Sequence, residues 1–493
     1  MTSHIEKVVL MIPNCRWAAG ARPWRINPYS ICMVAASIKD RYDTVILDAN
    51  LEDLTMEETA ARIEQIAPQV LGITVISIEY AESVHQAVAV IKDRCKEIVL
   101  VLGGIYPTVL PEIAMRDANV DYVVLSEGDF RFRQLLVALD KNGRDDGADS
   151  RNCGLAGIDG LAWRNTGEII IQPVQQYIQN LDELPFPAYD LVDFYAYSRS
   201  HSKFDMYYDA RFPPMAMTVS SRGCPFECVF CGNKPLQGTK WRMRSAENVL
   251  AEIDWLVEKY GVKEIAFLDD NLLLNRDRIL AIMRGIQARG IYWRALTIPV
   301  FSMDDEIIEM IAASGCESVI LPIESGSQHV LTNIVHKPLK LEHARCVISK
   351  CKEVGLTVHC AFVIGLPGET WDQILETVRF AEEIDVDHVN FSIATPLPAA
   401  PLYELAQSQG CLDPDFSFSD FRFFGFGRGA ITTKEFTPQE LQALRAFEWD
   451  RINFKTPAKA EKIARMNNIS MEELQQWRVN TRRSCGIMTN TDT

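Results

Sequence analysis

Positive charge is in short supply: 50 Lys and Arg stand against 66 Asp and Glu, a formal net charge of -16. A surface that binds phosphates must be basic, so neither nucleic acid nor an anionic membrane is an expected partner. No run of 18 or more apolar residues occurs, and Met1 to Lys7 lacks the basic-then-apolar order of a signal peptide, so a cytoplasmic location is expected. Internal repeats and low-complexity segments are absent too. Cysteine is not scarce, but 13 is an odd count without a secretory leader, which disfavours a disulfide framework. What is present is 493 residues of ordinary globular composition, too long for one core, so two or three domains are expected.

Residues 1–150 alternate short β-branched runs (Ile5–Ile12, Thr44–Leu47, Val70–Ile76, Glu97–Leu102, Asp121–Leu125) with helical stretches (Tyr29–Tyr42, Met56–Ile66, Ala81–Lys92). Continuous apolar strands separated by helices predict an α/β fold: a doubly wound, Rossmann-like parallel sheet whose ligands sit beyond the strands' carboxyl ends. Residues 151–213 read as a hairpin turning at Asn165-Thr166-Gly167, then an acidic, proline-containing linker, LDELPFPAYDLVDFY. From 214 to 410, six strands (Met215–Val219, Glu264–Leu268, Trp293–Leu296, Ser318–Leu321, Thr357–Ile364, His388–Ile393) alternate with helices. Six units fit a partial (β/α)6 barrel of TIM type better than a full eight-unit one.

Residues 411–493 predict a helical C-terminal cap, with capping boxes at Thr437/Glu440 and Ser470/Glu473. Leu444, Phe447, Arg451 and Phe454 recur at helical spacing, which suits packing on the barrel exterior. A six-unit barrel also leaves an open side, so the sharper expectation is that Glu448, Asp450, Arg451 or Asn453 reaches substrate, with RFFGFGRG as a hinged lid.

The strongest chemical signal is SSRGCPFECVFCGN, in the loop after the first barrel strand. Cys224, Cys228 and Cys231, spaced C-x3-C-x2-C, offer three thiolates to an iron-sulfur cluster. A fourth cysteine at matched spacing is missing, which leaves one iron open to a small molecule. A structural zinc site would need a fourth ligand, and no histidine stands between His201 and His329.

CPFECVFC resembles the signature of the radical S-adenosylmethionine (SAM) superfamily, whose 4Fe-4S cluster chelates SAM through the open iron and cleaves it reductively. The resemblance implies cluster ligation by Cys224, Cys228 and Cys231 and an aromatic, Phe230, beside the adenine. It further implies SAM contacts from Asp269, Asp270 and Asn271 after the second strand, Glu324 and Ser325 after the fourth, and Gly365 and Gly368 after the fifth. A doubly wound domain ahead of such a barrel is similar to the cobalamin-binding class. The residues carrying that likeness are Thr74 and Ser77, then Gly103, Gly104 and Thr108 (GGIYPT), then Ser126, Glu127 and Gly128 (SEGD). No G-x-G-x-x-G for a dinucleotide follows the first strand. The D-x-H-x-x-G that carries a cobalt-ligating histidine in many cobalamin proteins is replaced by PNCRWAAG. Cobalt is then expected to lack a histidine ligand, with Asn14, Cys15 or Arg16 beneath the corrin.

Together these resemblances imply a cobalamin-dependent radical SAM methyltransferase. It would act on an unactivated carbon of a small-molecule, natural-product type substrate, with an electron donor such as flavodoxin or ferredoxin. A rearrangement or oxidative cyclisation with the same cofactors remains an alternative. Methylthiolation would need a second triplet, for which Cys15, Cys32 and Cys95 are candidates, and a non-catalytic sensor would need only the folds.

Overall fold

The computed structural model describes residues 4–19, 26–142, 154–199, 210–418, 420 and 428–483. They form two compact units, Met1–Ser200 with Pro235–Gly238, and His201–Lys234 with Thr239–Thr493.

In the first unit, strands β1 (Lys7–Ile12), β2 (Asp43–Asp48), β3 (Val70–Thr74), β4 (Val99–Gly103) and β5 (Tyr122–Val124) lie parallel in the order β2-β1-β3-β4-β5. Val8 to Met11 are all buried, as a strand covered on both faces must be. The helices are α1 (Tyr29–Ala36), α2 (Met56–Ile66), α3 (Ala81–Arg94), α4 (Ile105–Val109) and α5 (Gly128–Asn142), with smaller turns between. Thr55 and Glu58 close a capping box on α2. The stretch expected as one helix to Tyr42 stops at Ala36, where the Ser37 hydroxyl lies within hydrogen-bond distance of the carbonyls of Val34 (2.7 Å) and Asp129 (2.5 Å) and the chain turns.

The hairpin β6 (Leu161–Asn165) and β7 (Glu168–Ile171) extends this sheet antiparallel from β5. The acidic stretch beyond it also packs on the first unit: the Ala188 N–H donates to Cys32 (3.0 Å) and the Tyr197 hydroxyl to Asp48 (2.8 Å). The unit therefore runs past residue 150 to Ser200.

In the second unit, β8 (Met215–Thr218), β9 (Glu264–Phe267) and β10 (Tyr292–Ala295) form one parallel sheet. A second parallel sheet holds β11 (Ser318–Glu324), β12 (Thr357–Ile364) and β13 (His388–Ile393). The Ile298 N–H donates to the Ile320 carbonyl (2.9 Å) between them. Helices α6 (Ala246–Tyr260), α7 (Arg276–Arg289), α8 (Asp305–Ala313), α9 (Leu341–Glu353), α10 (Trp371–Glu383) and α11 (Pro401–Ser408) follow the six strands in turn. No helix among the described residues is long and apolar enough to cross a membrane.

Three more helices, α12 (Pro438–Asn453), α13 (Pro457–Met466) and α14 (Met471–Arg483), complete the chain, and α12 begins with the expected capping box. Its buried face is Leu441, Ala446, Trp449, Ile452 and Asn453, not the expected stripe; Phe447 is 50% exposed. The residues expected to reach substrate are engaged inside the unit. Asn453 accepts from the Val389 N–H (2.8 Å) and donates to the Val389 carbonyl (2.9 Å), so its amide replaces a strand neighbour at the edge of β13. Arg451 pairs with Glu382 and Glu448, and Asp450 with Arg478 and Arg482. Of the expected lid, residues 422–427 lie outside those described.

His359 and His388 are register partners on β12 and β13, with ring centroids 5.8 Å apart. Phe362 and Phe391, on the opposite face, stack on each other, and Phe362 packs against Phe380 of α10. The histidines therefore face away from that helix. Neither ring nitrogen of His388 has a hydrogen-bond partner among the described residues. Burial pushes both histidines down from 6.5 to about 3, and the Lys462 and Lys459 ammonium groups add to it. Both are therefore neutral when folded, whereas the unfolded chain protonates them near pH 6.5. Their contribution is fully present above pH 6.5 and is lost as pH falls toward 3, by up to about 1.4 kcal/mol per unit for each histidine. His388→Leu should therefore flatten the decline of the urea midpoint between pH 7 and pH 5; an equal decline in native and variant protein would refute this.

Candidate active site and cofactor-binding loops

The cysteine loop is held by the strand ends around it. After β8 the chain forms a two-residue ribbon, Ser221–Arg222 against Arg242–Met243, and the loop is the excursion between its arms. Asp269, just beyond β9, anchors the entry: its carboxylate accepts from the Ser220 N–H (3.0 Å) and from the hydroxyls of Ser220 (2.7 Å) and Ser221 (2.5 Å). Within the loop the Cys231 N–H donates to the Cys228 carbonyl (3.0 Å). Val229 donates to the Val335 carbonyl (3.0 Å) and accepts from the Leu402 N–H (2.8 Å), which ties the loop to segments that follow β11 and β13.

Cys224 and Cys228 are half-buried and Cys231 is exposed. Burial pushes the Cys228 thiol up to about 12; the Cys231 thiol, desolvated by the chain around it although the residue is partly open to solvent, shifts upward too, the nearby Asp270 charge adding to it. Thiolates here thus need a cationic partner, and an iron-sulfur cluster provides one. Among the described residues no three His, Cys, Asp or Glu side chains are set as ligands of one metal ion. A cluster does not need that convergence, because each thiolate binds a different iron.

Beside the loop, the Asn271 amide points to Cys224 (Nδ2 to Sγ, 3.6 Å). Asp270 Oδ2 and Asn271 Oδ1 are buried acceptors without a hydrogen-bond partner among the described residues, and burial raises the Asp270 carboxyl to about 6 against a bond from Asn233. Such orphaned acceptors fit a ligand that brings donors, as the amino group of SAM does. Phe230 is half-buried in the loop. Glu324 ends β11 in the left-handed region (φ 73°), its Oε1 accepting from Lys337 (2.8 Å). Ser325, by contrast, is fully buried, with its hydroxyl bonded to Thr377 of α10 (3.0 Å) and to the Ser327 N–H (3.1 Å).

Gly365 has φ 86°, and a Cβ there would collide with Leu441. Its N–H and that of Leu366 donate to Glu369 Oε2 (2.8 and 3.1 Å); Gly368 completes the turn. Burial raises Glu369 to about 7 despite those bonds, and its Oε1 has no partner among the described residues. Neither Glu369 nor Lys337 stands at a periodic or metal-ligand spacing that would mark it in the sequence.

In the first unit a small pocket opens at the carboxyl ends of β1 and β3, lined among others by Ile12, Pro13, Cys15, Asn50, Thr74 and Ile76. That is where the strand order reverses, the usual ligand position on such sheets. Ile76 and Ile105 on this edge are 37% and 40% exposed, an apolar surface suited to a flat macrocycle. Gly104 (φ 97°) permits the close approach: a Cβ would lie 2.8 Å from the Val75 carbonyl. Gly103 ends β4 and Gly128 starts α5.

Several expected cobalamin residues serve the loops themselves. The Thr108 hydroxyl donates to the Gly104 carbonyl (2.7 Å) and accepts from the Ser126 N–H (2.8 Å). The Ser126 hydroxyl donates to Leu236 (2.5 Å), Glu127 accepts from Ile178 (2.8 Å), and Ser77 caps a short turn through Glu79 (3.4 Å). Asn14 donates to Asp53 and Leu54, Arg16 pairs with Asp53 (3.0 Å), and Cys15 is buried. Both histidines of the segment are engaged, His4 with Asp140 and His85 with Asp117 and Tyr106. Cys15 and Cys32 are buried and Cys95 partly so.

Comparison with known proteins agrees with both halves. Residues 218–381 match the radical SAM superfamily and residues 20–136 the B12 binding domain. An uncharacterized methyltransferase of Pyrococcus horikoshii is 32% identical, over 83% of this chain and 84% of its own. Cytidylyl-2-hydroxyethylphosphonate methyltransferase of Streptomyces wedmorensis is 27% identical, over 84% of each. Anaerobic magnesium-protoporphyrin IX monomethyl ester cyclase of Rubrivivax gelatinosus is 25% identical, over 77% of this chain and 65% of its own. The structure of the radical SAM methyltransferase TsrM of Kitasatospora setae, with cobalamin and a 4Fe-4S cluster bound, superposes with TM-score 0.71 at 16% identity, over 98% of this chain and 99% of that one.

Asp269→Ala should remove three charge-assisted hydrogen bonds and strand the Ser220 N–H, for a loss of at least about 3 kcal/mol. The thermal midpoint and the iron bound per chain after anaerobic reconstitution should both fall; unchanged values would show that the loop is held elsewhere.

Proposed function

Because the chain belongs to the cobalamin-dependent radical SAM methyltransferase family, we propose that it transfers a methyl group to an unactivated carbon of a small-molecule substrate. The enzyme uses a 4Fe-4S cluster, SAM and cobalamin. When bound, the cluster and SAM supply a hydrogen-abstracting radical and cobalamin supplies the methyl group.

The observation that carries this reading is the three-cysteine loop at the carboxyl end of a parallel barrel, with orphaned acceptors beside it. Cys224, Cys228 and Cys231 hold the cluster. Asp270 and Asn271 receive donors of SAM, Phe230 lies beside its adenine, and Glu324 accepts from its ribose. Glu369 and the turns at Gly365 and Gly368 keep the wall of that site in shape. In the first unit, Thr74, Ile76, Gly103 and Gly104 would hold cobalamin along the edge they form. His4 and His85, the histidines described in that unit, are engaged with Asp140 and with Asp117 and Tyr106, so a bound cobalamin would be held there without them. A one-electron donor of the flavodoxin or ferredoxin kind reduces the cluster. The likeness to a cyclase favours one second reading, an oxidative cyclisation without net methyl transfer.

Anaerobically reconstituted protein, given SAM labelled in its methyl group and a pool of candidate small molecules, should yield a product carrying the label by mass spectrometry. Label-free oxidation of a substrate would favour cyclisation instead. Replacing Cys224, Cys228 and Cys231 together with alanine should abolish cluster absorption and SAM cleavage; a full cluster in that variant would refute the ligand assignment. Electron paramagnetic resonance of the Co(II) form should show no nitrogen splitting from a protein imidazole.

A further inference from the structure

Glu324 sits in a conformation the chain would not adopt unaided. It ends β11 at φ 73°, where a side chain is strained, and the pairing of β11 with β12 slips between Pro322 and Glu324. The carboxylate is also buried, with the residue 8% exposed. Something must compensate both the backbone strain and the buried charge.

Lys337 meets both needs. Its ammonium donates to Glu324 Oε1 (2.8 Å) and to the Pro322 carbonyl (2.7 Å), spanning the slip in register, and the lysine is itself 8% exposed. Lys337 is presented by a π-turn over Leu331–Val335; its own N–H donates to the Leu331 carbonyl (2.9 Å), and His336 before it is left-handed (φ 61°). The carbonyl of Val335, in the same turn, accepts the Val229 N–H of the cysteine loop (3.0 Å). One short segment therefore fixes Cys228's neighbour at one end and Glu324 at the other. Glu324 Oε2 accepts no hydrogen bond from the described residues, so one carboxylate oxygen is clamped and the other remains an open acceptor.

We propose that Lys337 is a positioning residue for SAM: through the π-turn it sets the carboxylate of Glu324 at a fixed place relative to the cysteine loop, so that Oε2 receives a hydroxyl of the SAM ribose. This rests on the reading of the barrel as a radical SAM site. The arrangement makes a specific demand. Cluster assembly should depend on the cysteines and not on Lys337, whereas the fit of SAM to the assembled cluster should depend on Lys337 acting through Glu324.

Full-length protein, reconstituted anaerobically, is compared as native, Lys337→Arg, Glu324→Gln and Lys337→Met/Glu324→Gln. Glutamine keeps an acceptor oxygen at position 324 and leaves no unpaired carboxylate buried when Lys337 is removed. Iron and sulfide per chain, the SAM dissociation constant, and the change in the reduced cluster's paramagnetic resonance on adding SAM are measured for each. Native-like iron in all four is expected. SAM affinity should fall at least tenfold from Glu324→Gln to the double variant, with no spectral change in the latter at a SAM concentration that saturates the native protein. Lys337→Arg should stay within about threefold of native. SAM binding by the double variant within twofold of Glu324→Gln overturns the proposal, as does loss of iron together with SAM binding, which would mark a general structural role. If the native protein itself assembles no cluster or binds no SAM, the reading of the whole site falls with it.

Discussion

Asp269 holds three donors from the chain that enters the cysteine loop, and it does so from the end of the neighbouring strand. A loop that presents three thiols cannot also be a regular element, so its backbone groups need partners from outside it. Asp269 supplies them at the entry; Val335 and Leu402 supply them in the middle, and Asn271 reaches Cys224. The loop's shape is thus imposed by the ends of β9, β11 and β13, which are rigid because their strands are buried in parallel sheets. That is the physical reason why strand-end chemistry suits a cluster site: the scaffold fixes what the ligating segment cannot fix for itself.

The strands were legible in the sequence for the same reason. A strand covered on both faces reads as a short continuous apolar run, and each of the eleven parallel strands lies at such a run, with every end within three residues of the expected one. Helix ends were less legible where a local hydrogen bond decided them, as at Ser37. The antiparallel hairpin was visible from Asn165-Thr166-Gly167, but its pairing with β5 was not, since turn chemistry fixes a hairpin and says nothing of its neighbour.

Site residues divide more sharply. The cysteine triplet stands out in the sequence because a C-x3-C-x2-C spacing is a pattern along the chain itself. Hydroxyls and carboxylates at strand ends are ambiguous, since the same group can face a ligand or satisfy a nearby backbone. Thr108, Ser126, Glu127 and Ser325 bond within the protein, whereas Asp270 and Asn271 keep acceptors unpaired. Only the folded chain distinguishes the two uses, because the partner lies tens of residues away: 18 for Thr108 and Ser126, 52 for Ser325 and Thr377.

Asn453 shows how far that ambiguity extends. A polar residue on a helix beside an incomplete barrel invites a role in substrate binding, and the barrel does have an open side. The greater need there is at β13, an edge strand whose N–H and carbonyl would otherwise lack partners. Asn453 meets it with both halves of one amide, and Arg445 donates to the Phe391 carbonyl two residues along (2.7 Å). Only an amide carries donor and acceptor at the spacing of a peptide group, which is why a carboxylate or an ammonium would not replace it. A barrel stopped at six strands thus ends its hydrogen-bond ladder on side chains of α12, which makes that helix part of the barrel wall.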